Sequence, residues 1–442
     1  MFKIVMLQDT DDGEPESSSS SELQIKAPSL EDVGILEAPS WSVEGAFDPN
    51  DIGKSMSQRL CHWGPMLAIF LIVTIGMSAT IVFFHIWPPL DSLWGFINLI
   101  IFFTWNYMSL TNFLQATRFG GGFVKLGWKP EDPALHKKLQ YCPLCEGHKA
   151  PRSHHCARCN RCVLKMDHHC PWLNNCVGHR NHALFIKFCF FSIMGCFHAA
   201  SFLIKNVVVT IYLLYYADKT TRILPQDLPI TDIQTMIAAL TGATLSLGVC
   251  VAVIPLLYIQ LWSVYHNMTY IEDYIVSKAE ARRHYEKFPF VYPYNLGWRR
   301  NVREVLANGT FPKGNGIWWP IRADCSQFTF SEEQIAQKEV KSRHARIRTI
   351  AISYNGGKFL DLLRLGCYPF ICQPLTDGRR VKVKAGEKWA ITRGSKFWVY
   401  AKKVEKQSYV DAEGTVQYAF VGTDHLARGW FPRICLEVAK TE

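Results

Sequence analysis

The chain alternates long apolar runs with strongly polar segments. Leu60 to Leu90 contains no Asp, Glu, Lys or Arg, and neither does Ser92 to Thr117. A third run, Ala183 to Ala217, is broken only by Lys187 and Lys205. A fourth, Ile233 to Ile271, is again uncharged and contains Pro255. A helix needs about 20 apolar residues to cross the hydrocarbon of a bilayer. Four runs of this length predict four transmembrane helices rather than buried helices of a soluble core. Pro255 predicts a kink in the fourth. The third run exceeds a bilayer: at ~1.5 Å per residue it reaches about 52 Å, against roughly 30 Å of hydrocarbon. A few of its turns should project past the membrane and carry Lys187, with Lys205 reaching to the opposite interface.

The polar segments set the orientation. The link between the first two runs holds Asp91 and no basic residue. The link between the third and fourth has Lys219 and Arg222 beside Asp218, Asp227 and Asp232. Between the second and third lie eleven Lys and Arg residues, from Arg118 to Arg180. The positive-inside rule puts this segment and both termini in the cytosol. Cytosolic loops facing anionic lipid account for the net charge of +10, so no nucleic-acid partner is needed. Residues 1–54, with a serine run from Ser17 to Ser21 and no apolar period, read as a disordered tail. With no cleavable signal evident, the first apolar run serves as the insertion signal.

The basic segment carries the chemistry. Its order is Cys142-x2-Cys145-x9-His155-Cys156-x2-Cys159-x2-Cys162-x6-His169-Cys170-x5-Cys176. A Cys-x2-Cys pair lets two thiolates grip one tetrahedral ion from a tight turn, and three such pairs fall within 21 residues. A disulfide knot is disfavoured because the segment should face the reducing cytosol. Seven cysteines, with His155, His168 and His169, are available as ligands, and two Cys3His sites use eight residues. A structural zinc site is closed by four protein ligands, which leaves one cysteine for chemistry. Cys170 is the choice, because Asp167 and His168 stand beside it.

This segment resembles the catalytic cysteine-rich domain of the DHHC protein S-acyltransferases, or palmitoyltransferases. The likeness runs without a gap from Cys142 to Cys176 and on through Val177-Gly178. It implies interleaved ligation of two structural Zn2+ ions. One would take Cys142, Cys145, His155 and Cys162; the other Cys156, Cys159, His169 and Cys176. His154 rivals His155, and only the family spacing separates them. Cys170, His168 and Asp167 are left as nucleophile, base and orienting carboxylate. The implied co-substrate is palmitoyl-CoA or a similar acyl-CoA, its chain lying among the membrane helices. The implied acceptors are cytosol-facing cysteines of membrane and soluble proteins. The family's Thr-Thr-x-Glu motif after the fourth helix, whose polar groups pack near the catalytic Asp, appears here as Thr269-Tyr270-Ile271-Glu272, without the second Thr. Asn301 resembles the family's Asn in the following segment. An ordinary helix cap or a surface amide is the competing reading for it. Phe119-Gly120-Gly121-Gly122-Phe123 stands where the family usually has Asp-Pro-Gly.

From about Ile347 the texture changes to short alternating runs broken by Gly and Pro. Val381 to Glu387, Phe397 to Tyr400 and Gly429 to Pro432 resemble an SH3 barrel in order and spacing. Aligned on Ala351 to Asn355, the ligand-groove aromatics of such a domain are replaced by Ser353, Asn355, Phe397 and Cys435, and only Pro432 is kept. A folded domain with poor affinity for PxxP peptides is expected, docking on its own chain or on a non-standard partner. Cys367 and Cys372 are either exposed thiols open to acylation or buried barrel thiols.

The expected fold is therefore an α-helical integral membrane protein with a cytosolic two-zinc domain and a C-terminal all-β, SH3-like barrel. The expected domains are a tail (1–54), helices one and two (55–117), the zinc domain (118–182), helices three and four (183–266), a juxtamembrane segment (267–344) and the barrel (345–442). Among the family this combination is that of the endoplasmic-reticulum member with an SH3 domain, which points to that membrane, with the Golgi as alternative. A zinc-and-SH3 adaptor without catalysis has no use for an unligated cysteine beside a histidine. A nucleic-acid-binding zinc protein would need a basic recognition helix, but Pro171-Trp172 and an apolar run follow the zinc segment.

Overall fold

The computed structural model describes residues 28–40, 46–48, 50–86, 88, 91–220, 232–283, 288–306, 312–356, 361, 365–366, 368–374, 378–410, 416–421 and 428–436. The chain divides into a larger unit, most of residues 26–330, and a smaller one made mostly of residues from 331 onward.

Four helices dominate the larger unit: Trp63–Ile86, Leu93–Phe119, His182–Thr220 and Ile233–His266. All are long and apolar enough to cross a membrane. The fourth continues through Pro255 rather than ending there. Lipid gives helices no hydrophobic reason to associate, so close backbone approach through small residues does the work. Gly242 is such a point: a Cβ there would lie 2.7 Å from Ser78 Cβ and 2.9 Å from Leu203. The Ser109 and Ser192 hydroxyls pair across the second and third helices at 2.7 Å.

The last carbonyls of a helix have no partner within it. At the end of the second helix those of Ala116 and Thr117 accept from the side chains of Asn181 (3.0 Å) and Asn175 (2.9 Å), which belong to the cysteine-rich segment. The glycine run here is a steric requirement. Gly120 has φ +62°, and a Cβ on Gly121 would meet Val163 at 2.6 Å and Gly178 N at 3.0 Å. The turn is thus made without the proline common in the family.

The fourth helix ends at Asn267 in the left-handed region (φ +49°), a conformation Asn tolerates. Thr269 then caps the helix Tyr270–Arg282 in a box with Glu272. Asn301, fully buried, donates to Tyr265 O (2.7 Å) and accepts from Leu296 N (2.9 Å). It is neither a surface amide nor the cap of its own helix: it closes the end of the fourth spanning helix.

The expectation of a disordered tail through residue 54 needs correction for its described part. Ile35–Leu36 pairs antiparallel with Ile321–Arg322. Glu37 takes a two-pronged bond from Arg300 (2.5 and 2.6 Å), Ala46 O accepts from Lys125 N (2.9 Å), and Asp51 pairs with Arg161 at 2.6 Å. These partners lie far along the chain, so local apolar period could not reveal them. Residues 1–27 lie outside the described residues.

Among its described residues the smaller unit has a sheet of five antiparallel strands. Arg346–Thr349, Lys388–Gly394, Trp398–Val410 and Val416–Val421 are neighbours in that order, and Arg428–Pro432 also pairs with Trp398–Val410. Its core is aromatic, with Trp389, Trp398, Tyr354, Trp430 and Phe431 buried together with Cys435. Cys372 is exposed, and Cys367 lies outside the described residues.

Candidate active site

Three short hairpins build the cysteine-rich segment. Tyr141–Cys142 pairs with Gly147–His148, His154–Cys156 with Arg161–Val163, and His168–Cys170 with Asn175–Val177. Successive residues of a strand face opposite ways. That rule explains the interleaving. His155 joins Cys142, Cys145 and Cys162, while its neighbour Cys156 joins Cys159, His169 and Cys176; within each group the donor atoms lie within 4.8 Å of one another. A tetrahedral ion with Zn–S bonds of ~2.3 Å needs donors about 3.5–3.8 Å apart. Cys159 Sγ is 3.5 Å from Cys176 Sγ, and His169 Nδ1 is 3.5, 3.4 and 3.6 Å from the sulfurs of Cys156, Cys159 and Cys176. This second set therefore fits one tetrahedral ion, and in the first set His155 Nδ1 lies a little further out, 4.0 Å from Cys162 Sγ. His154 is in neither group.

The same alternation separates the paired histidines. His169 faces the metal group, and His168 and Cys170 share the other face of their strand. His168 Nδ1 donates to Asp167 Oδ2 at 2.7 Å, which leaves Nε2 as the nitrogen able to take a proton. Burial opposes charge on this ring, but hydrogen bonding to Asp167 and Cys170 outweighs it and pushes the His168 pKa up to about 10. Asp167 is fully buried. Burial raises its pKa, yet the bond from His168 and the Tyr270 N–H hold it well below the usual carboxylate range. Tyr270 N donates to Asp167 Oδ1 at 2.9 Å, and Gln260 Nε2 to Oδ2 at 3.1 Å.

Cys170 sits where this polar site meets the membrane helices. It is 3% exposed and packs against Ala68, Phe113, Leu184 and Phe185. It also lines a cavity of about 340 Å³ that runs between the spanning helices, past Phe188, Ser192 and Gly195 on one wall and Thr244, Val249 and Val253 on another. The first helix comes close to the loop after Cys170: a Cβ on Gly64 would lie 2.0 Å from Pro171 O.

Residues 135–276 match the DHHC palmitoyltransferase family. Palmitoyltransferase ZDHHC6 of Mus musculus is 37% identical over 392 residues, which cover 86% of this chain and 92% of the relative. The Homo sapiens ZDHHC6 gives the same values. Palmitoyltransferase ZDHHC16 of Mus musculus is 27% identical over 302 residues, 63% of this chain and 79% of that protein. The chain belongs to the DHHC palmitoyltransferases. It is a protein S-palmitoyltransferase, built on four apolar helices long enough to span a membrane and a DHHC region with two Cys3His groups.

The altered motif of this palmitoyltransferase keeps its contact with Asp167. The donor is the backbone N–H of Tyr270 at the first turn of a helix, so the missing Thr hydroxyl is not needed for it. Thr269 and Glu272 act elsewhere. Glu272 forms a fully buried pair with Arg152 at 2.6 Å and accepts from Tyr292 OH at 2.9 Å. Arg152 also donates to Asn267 O (2.7 Å), and Lys165 Nζ to Asn267 Oδ1 (2.8 Å). Burial opposes the charge of Glu272, and Arg152 outweighs it, so the carboxylate stays ionised. This cluster ties the cysteine-rich segment to the end of the fourth helix. Arg152 and Gln260 were not singled out from the sequence. Gln260 had a signal, an amide within an apolar spanning run; Arg152 was one basic residue among many.

Removing one partner of a buried ion pair leaves an uncompensated charge. Arg152→Leu is expected to cost about 3–5 kcal/mol, and the double variant Arg152→Leu/Glu272→Leu to recover part of the loss. Thermal unfolding of the detergent-solubilised enzyme measures both, and equal destabilisation by the single and double variants would contradict it.

Proposed function

We propose that Cys170 is the nucleophile of the palmitoyltransferase, with His168 as base, Asp167 as its orienting carboxylate and acyl-CoA as donor. One observation carries this reading: Cys170 alone among the clustered cysteines lies outside both metal groups, and it shares a strand face with a histidine bonded to a buried carboxylate. His168 takes the thiol proton. The Cys170 thiolate attacks the thioester carbonyl, forming a C–S bond, and CoA leaves as a thiolate that receives the proton from His168. A substrate cysteine, its proton taken by His168, then attacks the acyl-Cys170 carbonyl; a new C–S bond forms, the acyl–Cys170 C–S bond breaks, and Cys170 leaves as a thiolate that receives the proton from His168. The cavity beside Cys170 receives the acyl chain, whose burial contributes about 0.8 kcal/mol per CH2.

Two Zn2+ ions would be held by Cys142, Cys145, His155 and Cys162, and by Cys156, Cys159, His169 and Cys176. They supply fixed geometry to hairpins too short to build a core of their own. Orientation follows from the basic segment: the active site and both termini face the cytosol, where the acceptors are cysteines of membrane and soluble proteins. The endoplasmic reticulum is the proposed membrane, on the resemblance in domain order.

The C-terminal strands support an SH3-like barrel with an occupied groove. Tyr368 stacks on Phe397, ring centres 5.9 Å apart and planes 14° from parallel, and Trp398 Nε1 donates to Pro369 O at 2.8 Å. The chain's own Tyr368 thus covers Phe397, the aromatic ring that remains at the groove positions.

Cys170→Ser should abolish hydroxylamine-sensitive labelling from palmitoyl-CoA and leave two zinc ions per chain. His168→Ala should slow acylation with zinc retained, and His169→Ala should lose zinc and misfold. Exchanged phenotypes for the two histidines would refute the roles given them. For the orientation, Asn308-Gly309-Thr310, outside the described residues, should carry no glycan; an endoglycosidase-sensitive mass shift removed by Asn308→Gln would reverse the topology. For the barrel, a PxxP peptide titrated into the full chain should show no micromolar binding. Micromolar binding that vanishes in Phe397→Ala would show that the groove is open.

A further inference from the structure

Gln260 lies in the fourth spanning helix with 2% exposure. An amide buried there needs a partner at each end. It has both. Nε2 is 3.1 Å from Asp167 Oδ2, and Oε1 is 2.9 Å from Nε2 of His182, the first residue of the third spanning helix. The chemistry fixes which end is which. An ionised carboxylate only accepts, so the amide must present its N–H to Asp167. Its oxygen is then turned to His182, whose Nε2 must carry the hydrogen.

Asp167 Oδ2 is also the oxygen that accepts from His168 Nδ1. Gln260 and the Tyr270 N–H therefore hold the two carboxylate oxygens in place while His168 uses one of them. Without the amide, the carboxylate keeps the Tyr270 backbone bond alone as a fixed anchor from outside the cysteine-rich segment. Without His182, the amide oxygen is left buried with no donor, and the side chain loses the contact that holds its N–H against the carboxylate.

We propose that Gln260 is a positioning residue for the acyl transfer and that His182, bonded to its amide oxygen, anchors it there. The third and fourth spanning helices, which wall the cavity beside Cys170, thereby hold Asp167 and, through it, the imidazole. Neither Gln260 nor His182 lines that cavity. The inference rests on the catalytic roles given above to Cys170, His168 and Asp167.

The test is single-turnover acylation of the full-length enzyme in detergent, with palmitoyl-CoA varied to separate the maximal rate from half-saturation. Gln260→Glu keeps the shape and replaces the donor with an acceptor. Its maximal rate should fall about tenfold or more, with half-saturation within about twofold of wild type and two zinc ions retained. His182→Leu should also slow the maximal rate, and His182→Gln, which can still donate, should recover most of that loss. A wild-type rate in Gln260→Glu, or a loss confined to half-saturation, overturns the proposal. So does an equal rate in His182→Leu and His182→Gln, which decides the matter if Gln260→Glu loses zinc. Cys170→Ser run alongside separates the two levels. If it is dead and Gln260→Glu is not slowed, only the positioning role fails. If it still labels at the active-site peptide, the catalytic reading fails and this inference with it.

Discussion

Asp167 is a buried carboxylate, and keeping it ionised constrains everything around it. An ion taken out of water must be given hydrogen bonds in return. Here they come from three directions: the neighbouring His168, the first backbone N–H of the helix after the spanning bundle, and a side chain within the fourth spanning helix. A helix N-terminus adds its own partial positive charge. The consequence is geometric. A hairpin of the cysteine-rich segment, the fourth spanning helix and the helix beyond it must keep one mutual register, or the charge is left unsatisfied.

Much of the surrounding structure serves that register. Asn175 and Asn181 fasten the cysteine-rich segment to the carbonyls ending the second spanning helix. Arg152 and Lys165 fasten it to Asn267, at the end of the fourth, and Asn301 donates to the Tyr265 carbonyl of the same helix end. The Arg152–Glu272 pair is a costly way to gain stability, since burial opposes both charges. Its geometry is specific, however: a guanidinium fork meets one carboxylate and one left-handed helix end. Apolar contacts alone would let the hairpins slide, because each strand pair is only two or three residues long.

What could be read from the sequence follows the range of each interaction. The spanning helices were legible because their signal is a long local run, and the presence of metal ligands because Cys-x2-Cys spacing is local too; the division into two interleaved groups, each drawn from two hairpins, rested on the family resemblance. The Asp167-His168 pairing was legible because the two residues are adjacent. Gln260, 93 residues from its Asp167 partner, was passed over, although a lone amide in an apolar run marks a buried contact. Tyr270 misled in the opposite direction. The side chain changed, but the interaction belongs to the backbone and survived. The Glu37–Arg300 bond spans 263 residues, and no local pattern in an acidic, serine-rich tail announces it.

In the role proposed for it, Cys170 reconciles two demands that conflict in most environments. A thiol is a nucleophile only when ionised, and an apolar surrounding opposes ionisation. An acyl chain needs that same apolar surrounding. Strand alternation offers a way out: Cys170 and His168 share a face, so the sulfur can border the apolar cavity while the imidazole beside it reaches back to Asp167. In the step proposed above, the thiolate formed when His168 takes the proton is paired with imidazolium rather than left alone in the membrane. Moving the cysteine one residue along the strand would turn it to the metal group, and moving it further would separate it from the base. The two demands meet at one residue because a two-residue period and a helix boundary coincide there.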